Sequence, residues 1–133
     1  MRRQFRLPEG DEEALDARGL PWETILEGRP RWLLIHDFPV PEGYNRRVAT
    51  AALRIPPSYP DDQIDMVYFC PPLALASGRA IGALSLTTID GKSYQQWSRH
   101  RTGANPWRPG LDDIGTHLLQ VSTWLAREAP EAA

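Results

Sequence analysis

Cysteine and lysine are almost missing from this 133-residue chain, which holds one of each, Cys70 and Lys92. A single cysteine excludes an intrachain disulfide, and no Cys/Cys or Cys/His pair stands at zinc-finger spacing. No metal and no cofactor is therefore expected. No apolar run approaches the ~18 residues of a membrane span, and nothing resembles a signal peptide. The expectation is a soluble cytoplasmic protein that keeps Cys70 as a thiol. Charge of one sign is also lacking: 15 basic residues face 17 acidic ones, for a net charge of −2. That balance argues against a nucleic-acid binder working by bulk charge. Neither nucleic acid nor membrane is expected as a partner. The chain has no G-x-G-x-x-G, P-loop, H-E-x-x-H or nucleophile elbow.

Proline is what the chain has in excess, 13 residues, near twice the usual ~5%. Interior proline costs a helix ~3 kcal/mol, so a long helical bundle is disfavoured. The length suits one domain spanning residues 1–133, with loose ends at 1–10 and 129–133. Asp11 with Glu12, Glu13, Ala14 and Leu15 reads as a helix start, and Gly19 and Pro21 end it. Trp22, Ile25 and Leu26 suggest a second helical turn or an extended arm. Trp32–Ile35, Val48–Ile55 and Met66–Phe69 are strand-like runs joined by turn-rich links, which favours an antiparallel meander. A short strand is expected within Ile81–Ile89, after which residues 91–101 read as a polar loop. Leu111, Ile114, Leu118, Val121 and Leu125 recur at spacings of 3, 4, 3 and 4, the stripe of a buried helix. Asp112 and Asp113 fall in its first turn and Arg127 in its last, each suited to the helix dipole. The fold class is α+β, with helices on one face or end of an antiparallel sheet.

The residues offer several chemical candidates. Cys70 has no basic residue within eight positions, so it reads first as a half-buried strand cysteine. The segment Gly91–Arg101 is densest in polar and aromatic groups. There His100 is a candidate base, and Ser98 and Ser93 are candidate hydroxyl nucleophiles. The competing reading has Trp97 packed on the core with Arg99 and His100 capping a loop. His117 flanks the apolar stripe and reads as a core-edge histidine. His36 alternates with Ile35 and is expected to face solvent or a cleft. Asp61-Asp62 and Asp112-Asp113 have ordinary roles in a proline turn and a helix start.

Several motifs then become specific in combination. They are Leu7-Pro8, Pro41-Glu42-Gly43-Tyr44, Tyr59-Pro60, Asp65-Met66-Val67-Tyr68, Pro71-Pro72-Leu73 and Trp97-Ser98-Arg99-His100 followed by Trp107-Arg108-Pro109. In this order they resemble the ubiquitin-conjugating-enzyme-like (UBC-like) superfamily, and within it the bacterial branch called prokaryotic family E. The resemblance runs from residue 7 to about 125. It implies an N-terminal helix, an antiparallel four-strand meander, an active-site loop and a C-terminal helix, with Trp107 anchoring the loop and Pro109 setting the helix entry. It also implies a ubiquitin-like protein and a ThiF-like activating enzyme as partners, and a JAB-type peptidase in the same pathway.

The superfamily's cysteine stands fewer than a dozen residues before the Trp-x-Pro, just after a His-Pro-Asn. Neither is present here, and Cys70 lies 37 positions before Trp107. The resemblance therefore implies a transferase with a non-standard nucleophile, Ser98 or Ser93 with His100 as base and Arg99 stabilising an oxyanion. Cys70 is the second choice. The other reading is a catalytically inactive adaptor whose interface is built from Tyr44, Trp97 and Trp107. A hydrolase or metal protein using His36, His100, His117 and Cys70 ranks last. A surface with the single lysine Lys92 would offer few amines for self-conjugation.

Overall fold

The computed structural model describes residues 1–129. Helix α1 (Glu9–Ala17) starts just after Pro8, whose carbonyl accepts from the amides of Asp11 and Glu12. The Glu12 carboxylate turns back to accept from the Leu7 amide at 3.0 Å and from Arg6 Nε at 2.9 Å. The helix therefore begins two residues earlier than Asp11 suggested, with Glu9, Asp11 and Glu12 in its first turn. Gly19, at φ 75°, closes it.

Residues 22–26 form strand β1 (Trp22–Leu26) rather than a helical turn. The apolar spacing there was compatible with either, and pairing on both sides decides it. On one side lies β2 (Arg31–Pro39), antiparallel, with Trp22 opposite Ile35 and Leu26 opposite Arg31. On the other side lies the N-terminal arm, where Thr24 donates to Arg2 O at 3.0 Å and accepts from Gln4 N at 2.9 Å. The first residues, expected as a loose end, thus run along the edge of β1. Of the expected loose end at 129–133, residues 130–133 lie outside the described residues.

The meander continues through β3 (Val48–Arg54) and β4 (Val67–Cys70). Next comes a hairpin, β5 (Leu84–Ile89) and β6 (Lys92–Trp97). Its turn is Asp90-Gly91, both at positive φ, as a tight two-residue hairpin requires. β6 pairs with β4, so the six-stranded antiparallel sheet has the order β1-β2-β3-β4-β6-β5. Two expectations change here. The sheet has six strands rather than four, and most of the expected polar loop 91–101 is strand β6. Its residues alternate: Tyr94 packs into one core, while Gln95 and Trp97 are buried on the other side.

Helix α2 (Ile114–Glu128) begins at a capping box. Asp113 accepts from Thr116 N at 2.9 Å, and Asp113 N donates to Thr116 Oγ1 at 3.0 Å. Leu111, expected as the first residue of the buried stripe, precedes this start and is 70% exposed. Pro109 does not set the entry either: Gly110 at φ 85° separates it from the helix, and the Asp113 cap does that work.

Both helices cover one face of the sheet. Leu15 from α1 and Ile114, Leu118, Val121 and Leu125 from α2 join Leu33, Leu53, Phe69 and Trp97 in the main core. The other face has its own buried cluster, including Ile25, Trp32, Leu34, Tyr68 and Tyr94. No helix belongs to it; the sheet curls to cover it. Asp90, at the hairpin tip, donates its amide to Glu27 beyond β1 at 2.9 Å, and Arg2 bonds Asp90 at 2.6 Å and Glu23 on β1 at 2.7 Å. Strands at opposite ends of the order are thereby clasped together, as a strongly twisted sheet permits.

Candidate functional site

The loop 98–112 leaves the end of β6 and is held from below and from both sides. Trp97 is fully buried, edge-on to Phe69 at 5.5 Å between ring centroids, with Nε1 donating to Gln95 Oε1 at 2.8 Å. The Arg99 guanidinium lies 4.9 Å from the Trp97 ring centroid and pairs with Glu128 of α2 at 3.1 Å. Arg101 has a buried side chain, stacked 5.1 Å from Trp107 and 3.5 Å from Asp112. Trp107 in turn donates to Pro60 O at 2.9 Å and packs on Tyr59. The Tyr59 hydroxyl donates to Asp11 of α1 at 2.7 Å and accepts from the Ile114 amide at 2.8 Å. That one hydroxyl ties the two helices together beneath the loop.

His100 is the exposed group on this platform. Its Nδ1 lies 2.9 Å from Asp65, just before β4, and its side chain is 60% exposed. Met66, at φ 59°, turns the chain between the two layers. Asp65 faces His100, while Met66 O accepts from Nε2 of buried His117 at 2.8 Å. Burial lowers the pKa of His117 to about 4, so it is neutral near pH 7. Expected at the core edge, it sits in the core, 1% exposed.

The other sequence candidates do not converge on His100. Ser98 Oγ bonds Gln96 Nε2 at 3.3 Å and makes no hydrogen bond to His100. Ser93 stands opposite Thr88 beside the hairpin turn, five strand positions from Ser98 and so on the order of 16 Å away. Arg99 is committed to Trp97 and Glu128 rather than free to meet an oxyanion. Cys70 ends β4 opposite Thr50, five residues beyond Asp65. Among the proposed interface residues, Trp97 and Tyr44 are buried, and the Tyr44 hydroxyl donates to Leu125 O at 2.6 Å. Neither offers a surface, whereas Trp107 is partly exposed and next to a groove lined by Tyr59, Pro60, Leu111 and Asp112.

Asp65 is the functional candidate that residue-level reading passed over. It lies 35 positions from His100, and only the pairing of β4 with β6 brings them together. Among the described residues no group of three or more His, Cys, Asp and Glu side chains is arranged to hold a metal ion. Among them, too, no helix is long and apolar enough to cross a membrane.

What the platform can do chemically is limited and definite. It presents an imidazole with one nitrogen held by a carboxylate and the other open to an incoming group, the arrangement of an oriented base. No curated protein and no solved structure matches the chain. Residues 7–128 match the family described as prokaryotic E2 family E, nearly the whole chain, and the protein belongs to that family.

Proposed function

We propose that this protein serves a bacterial ubiquitin-like conjugation pathway by positioning the C-terminus of a ubiquitin-like protein, delivered by a ThiF-type activating enzyme, against His100. The observation that carries this reading is the Asp65–His100 pair, exposed on a loop clamped at Trp97, Arg101 and Trp107. Asp65 accepts from Nδ1 and so leaves Nε2 as the basic nitrogen. The acceptor amine attacks the carbonyl carbon of the activated C-terminus, Nε2 takes the amine's proton, and the activating group departs as the amide forms. Exposed Leu111 and the groove beside Trp107, lined by Tyr59 and Pro60 and also by Asp11, Asp112 and Asp113, offer a partly apolar, acidic-edged rest for the extended tail.

No serine is aligned with this imidazole, so the acyl group stays on its carrier instead of moving to Ser98 or Ser93. The usual superfamily cysteine is replaced in this scheme by a base. The scattered serines also favour a second reading, an adaptor that binds the ubiquitin-like protein or the activating enzyme without chemistry.

One reconstitution separates the two. The protein is mixed with ThiF-type enzyme, ATP, ubiquitin-like protein and a target amine, and conjugates are counted by mass spectrometry. The base role predicts that His100→Gln lowers the conjugation rate by about 100-fold while binding of the ubiquitin-like protein is unchanged. Unchanged conjugation in His100→Gln would leave the adaptor role. An adduct on Ser98, Ser93 or Cys70 would replace the base mechanism by a covalent one.

A further inference from the structure

A second histidine, on the curled face of the sheet, is built into a more complete constellation than His100. His36 of β2 has both ring nitrogens engaged: Nε2 lies 2.6 Å from Glu23 Oε2 on β1, and Nδ1 lies 3.0 Å from Thr50 Oγ1 on β3. Three neighbouring strands thus contribute a carboxylate, an imidazole and a hydroxyl in a row. Among the described residues this is the only hydrogen bond between a histidine ring and a hydroxyl side chain.

Electrostatics set the direction of the protons. Arg2 bonds the other oxygen of Glu23 at 2.7 Å, and this bond, with a further one from His36, holds the Glu23 carboxyl down at about 2. An ionised carboxylate can only accept. In the neutral imidazole the proton therefore sits on Nε2, and bare Nδ1 accepts from the Thr50 hydroxyl. Orienter, base and nucleophile stand in the same order as in acyl-transfer enzymes, with the two ring nitrogens exchanged between carboxylate and hydroxyl. The His36 side chain is 23% exposed and Thr50 is partly exposed. Tyr94 lies on the same face, and burial, then Cys70, Asp90 and Glu23, keeps its phenol protonated well above the usual range.

We propose that Thr50 is a nucleophile for activated acyl esters or thioesters, with His36 as its general base and Glu23 as the residue that orients His36. Thr50 Oγ1 bonds the carbonyl carbon as its proton passes to His36 Nδ1. The alkoxide or thiolate leaves and takes that proton. Water then attacks the acyl-threonine with His36 again as base, releasing the carboxylic acid and restoring the hydroxyl. None of these residues belongs to the His100 platform, so the two sites stand or fall separately.

The test uses diisopropyl fluorophosphate on the full chain, with adduct sites mapped by peptide mass spectrometry. Here Thr50 Oγ1 bonds phosphorus, fluoride leaves, and the hydroxyl proton is released through His36. The expected adduct sits on Thr50 and persists in Thr50→Ser and in Cys70→Ala. It is absent from Thr50→Val, which keeps the side-chain shape, and forms about 100-fold more slowly in His36→Gln. Should Thr50→Val fail to fold, Thr50→Ser and His36→Gln decide alone. No adduct on the native chain, an adduct elsewhere, or a rate unaffected by His36→Gln would overturn the assignment.

Discussion

The protein holds two carboxylate–imidazole pairs of similar length in opposite settings. Glu23–His36 lies across neighbouring strands at 2.6 Å, with side chains 10% and 23% exposed. Asp65–His100 joins a loop to the residue before a strand at 2.9 Å, with side chains 37% and 60% exposed. The first pair is part of the clasp that closes the sheet, since Glu23 also anchors Arg2, which holds the hairpin tip at Asp90. The second is set above buried His117 and Arg101 and closes nothing itself. The strand side therefore commits its ion pair to holding the sheet together, and the loop side leaves its pair exposed.

The largest effect that sharpens this contrast concerns acid. Beneath the loop, burial holds His117 neutral down to about pH 4, against 6.5 for a free histidine. The unfolded chain therefore binds a proton that the folded chain refuses between these values. Stability falls as pH drops from about 6.5 toward 4 and the loss levels off below, for a total of about 3 kcal/mol. On the strand side the sign is the same but the window is lower. Glu23 is held at about 2 against 4.5, so its contribution is complete above 4.5 and is lost as pH falls from there toward 2. Urea midpoints of the native chain and of His117→Gln, measured from pH 7 to 4, read the loop side. The variant is expected to lose the slope between 6.5 and 4, and a slope that survives would mean that another group produces it.

Next in size is the clasp. Glu23→Gln removes the charge that Arg2 and His36 both bond. Hydrogen bonds to a charged group are worth roughly 1.5–3 kcal/mol. Arg2 is 42% exposed, so solvent screening brings the expected loss to about 1–2 kcal/mol. Amide exchange should quicken at the Asp90-Gly91 turn and along the N-terminal arm, because Arg2 keeps Asp90 but loses its side-chain tie to β1, which leaves Asp90 N to Glu27 as the remaining link. If only β1 amides respond, Arg2 is not what joins the two ends of the sheet.

The elements that were legible in the sequence are those whose signal is local. The α2 stripe and the Asp90-Gly91 turn could be read directly, and so could the three meander strands. The α2 start was misplaced because Leu111 fits the stripe while the Asp113–Thr116 box overrides it. Strand β1 resembled a helical turn because Trp22, Ile25 and Leu26 suit either period; pairing with β2 and with the arm made it a strand. Strand β6 was hidden by its polarity, since Lys-Ser-Tyr-Gln-Gln-Trp has two large apolar residues that face opposite cores. His100 was singled out by its neighbourhood, but Asp65 was not read as its hydrogen-bond partner, nor Glu23 and Thr50 as those of His36. Their meaning depends on strand pairing, which joins residues 13 to 35 positions apart.

The smallest effect tests whether the loop pair is free of structural duty. Asp65→Asn removes the charge facing His100, leaving an amide of nearly the same shape. Exposed ion pairs are typically worth about 0.2–1 kcal/mol, and the loop keeps its other supports: Arg99 to Glu128, Arg101 between Trp107 and Asp112, and Trp107 to Pro60. The thermal midpoint should therefore hardly move. Conjugation should nevertheless fall, because an amide that can turn its NH2 toward Nδ1 no longer enforces which nitrogen stays basic. A drop in activity at constant stability marks Asp65 as a positioning residue for His100. A large loss of stability would instead make the Asp65–His100 pair a structural clasp like Glu23–His36, and the contrast between the two sides would disappear.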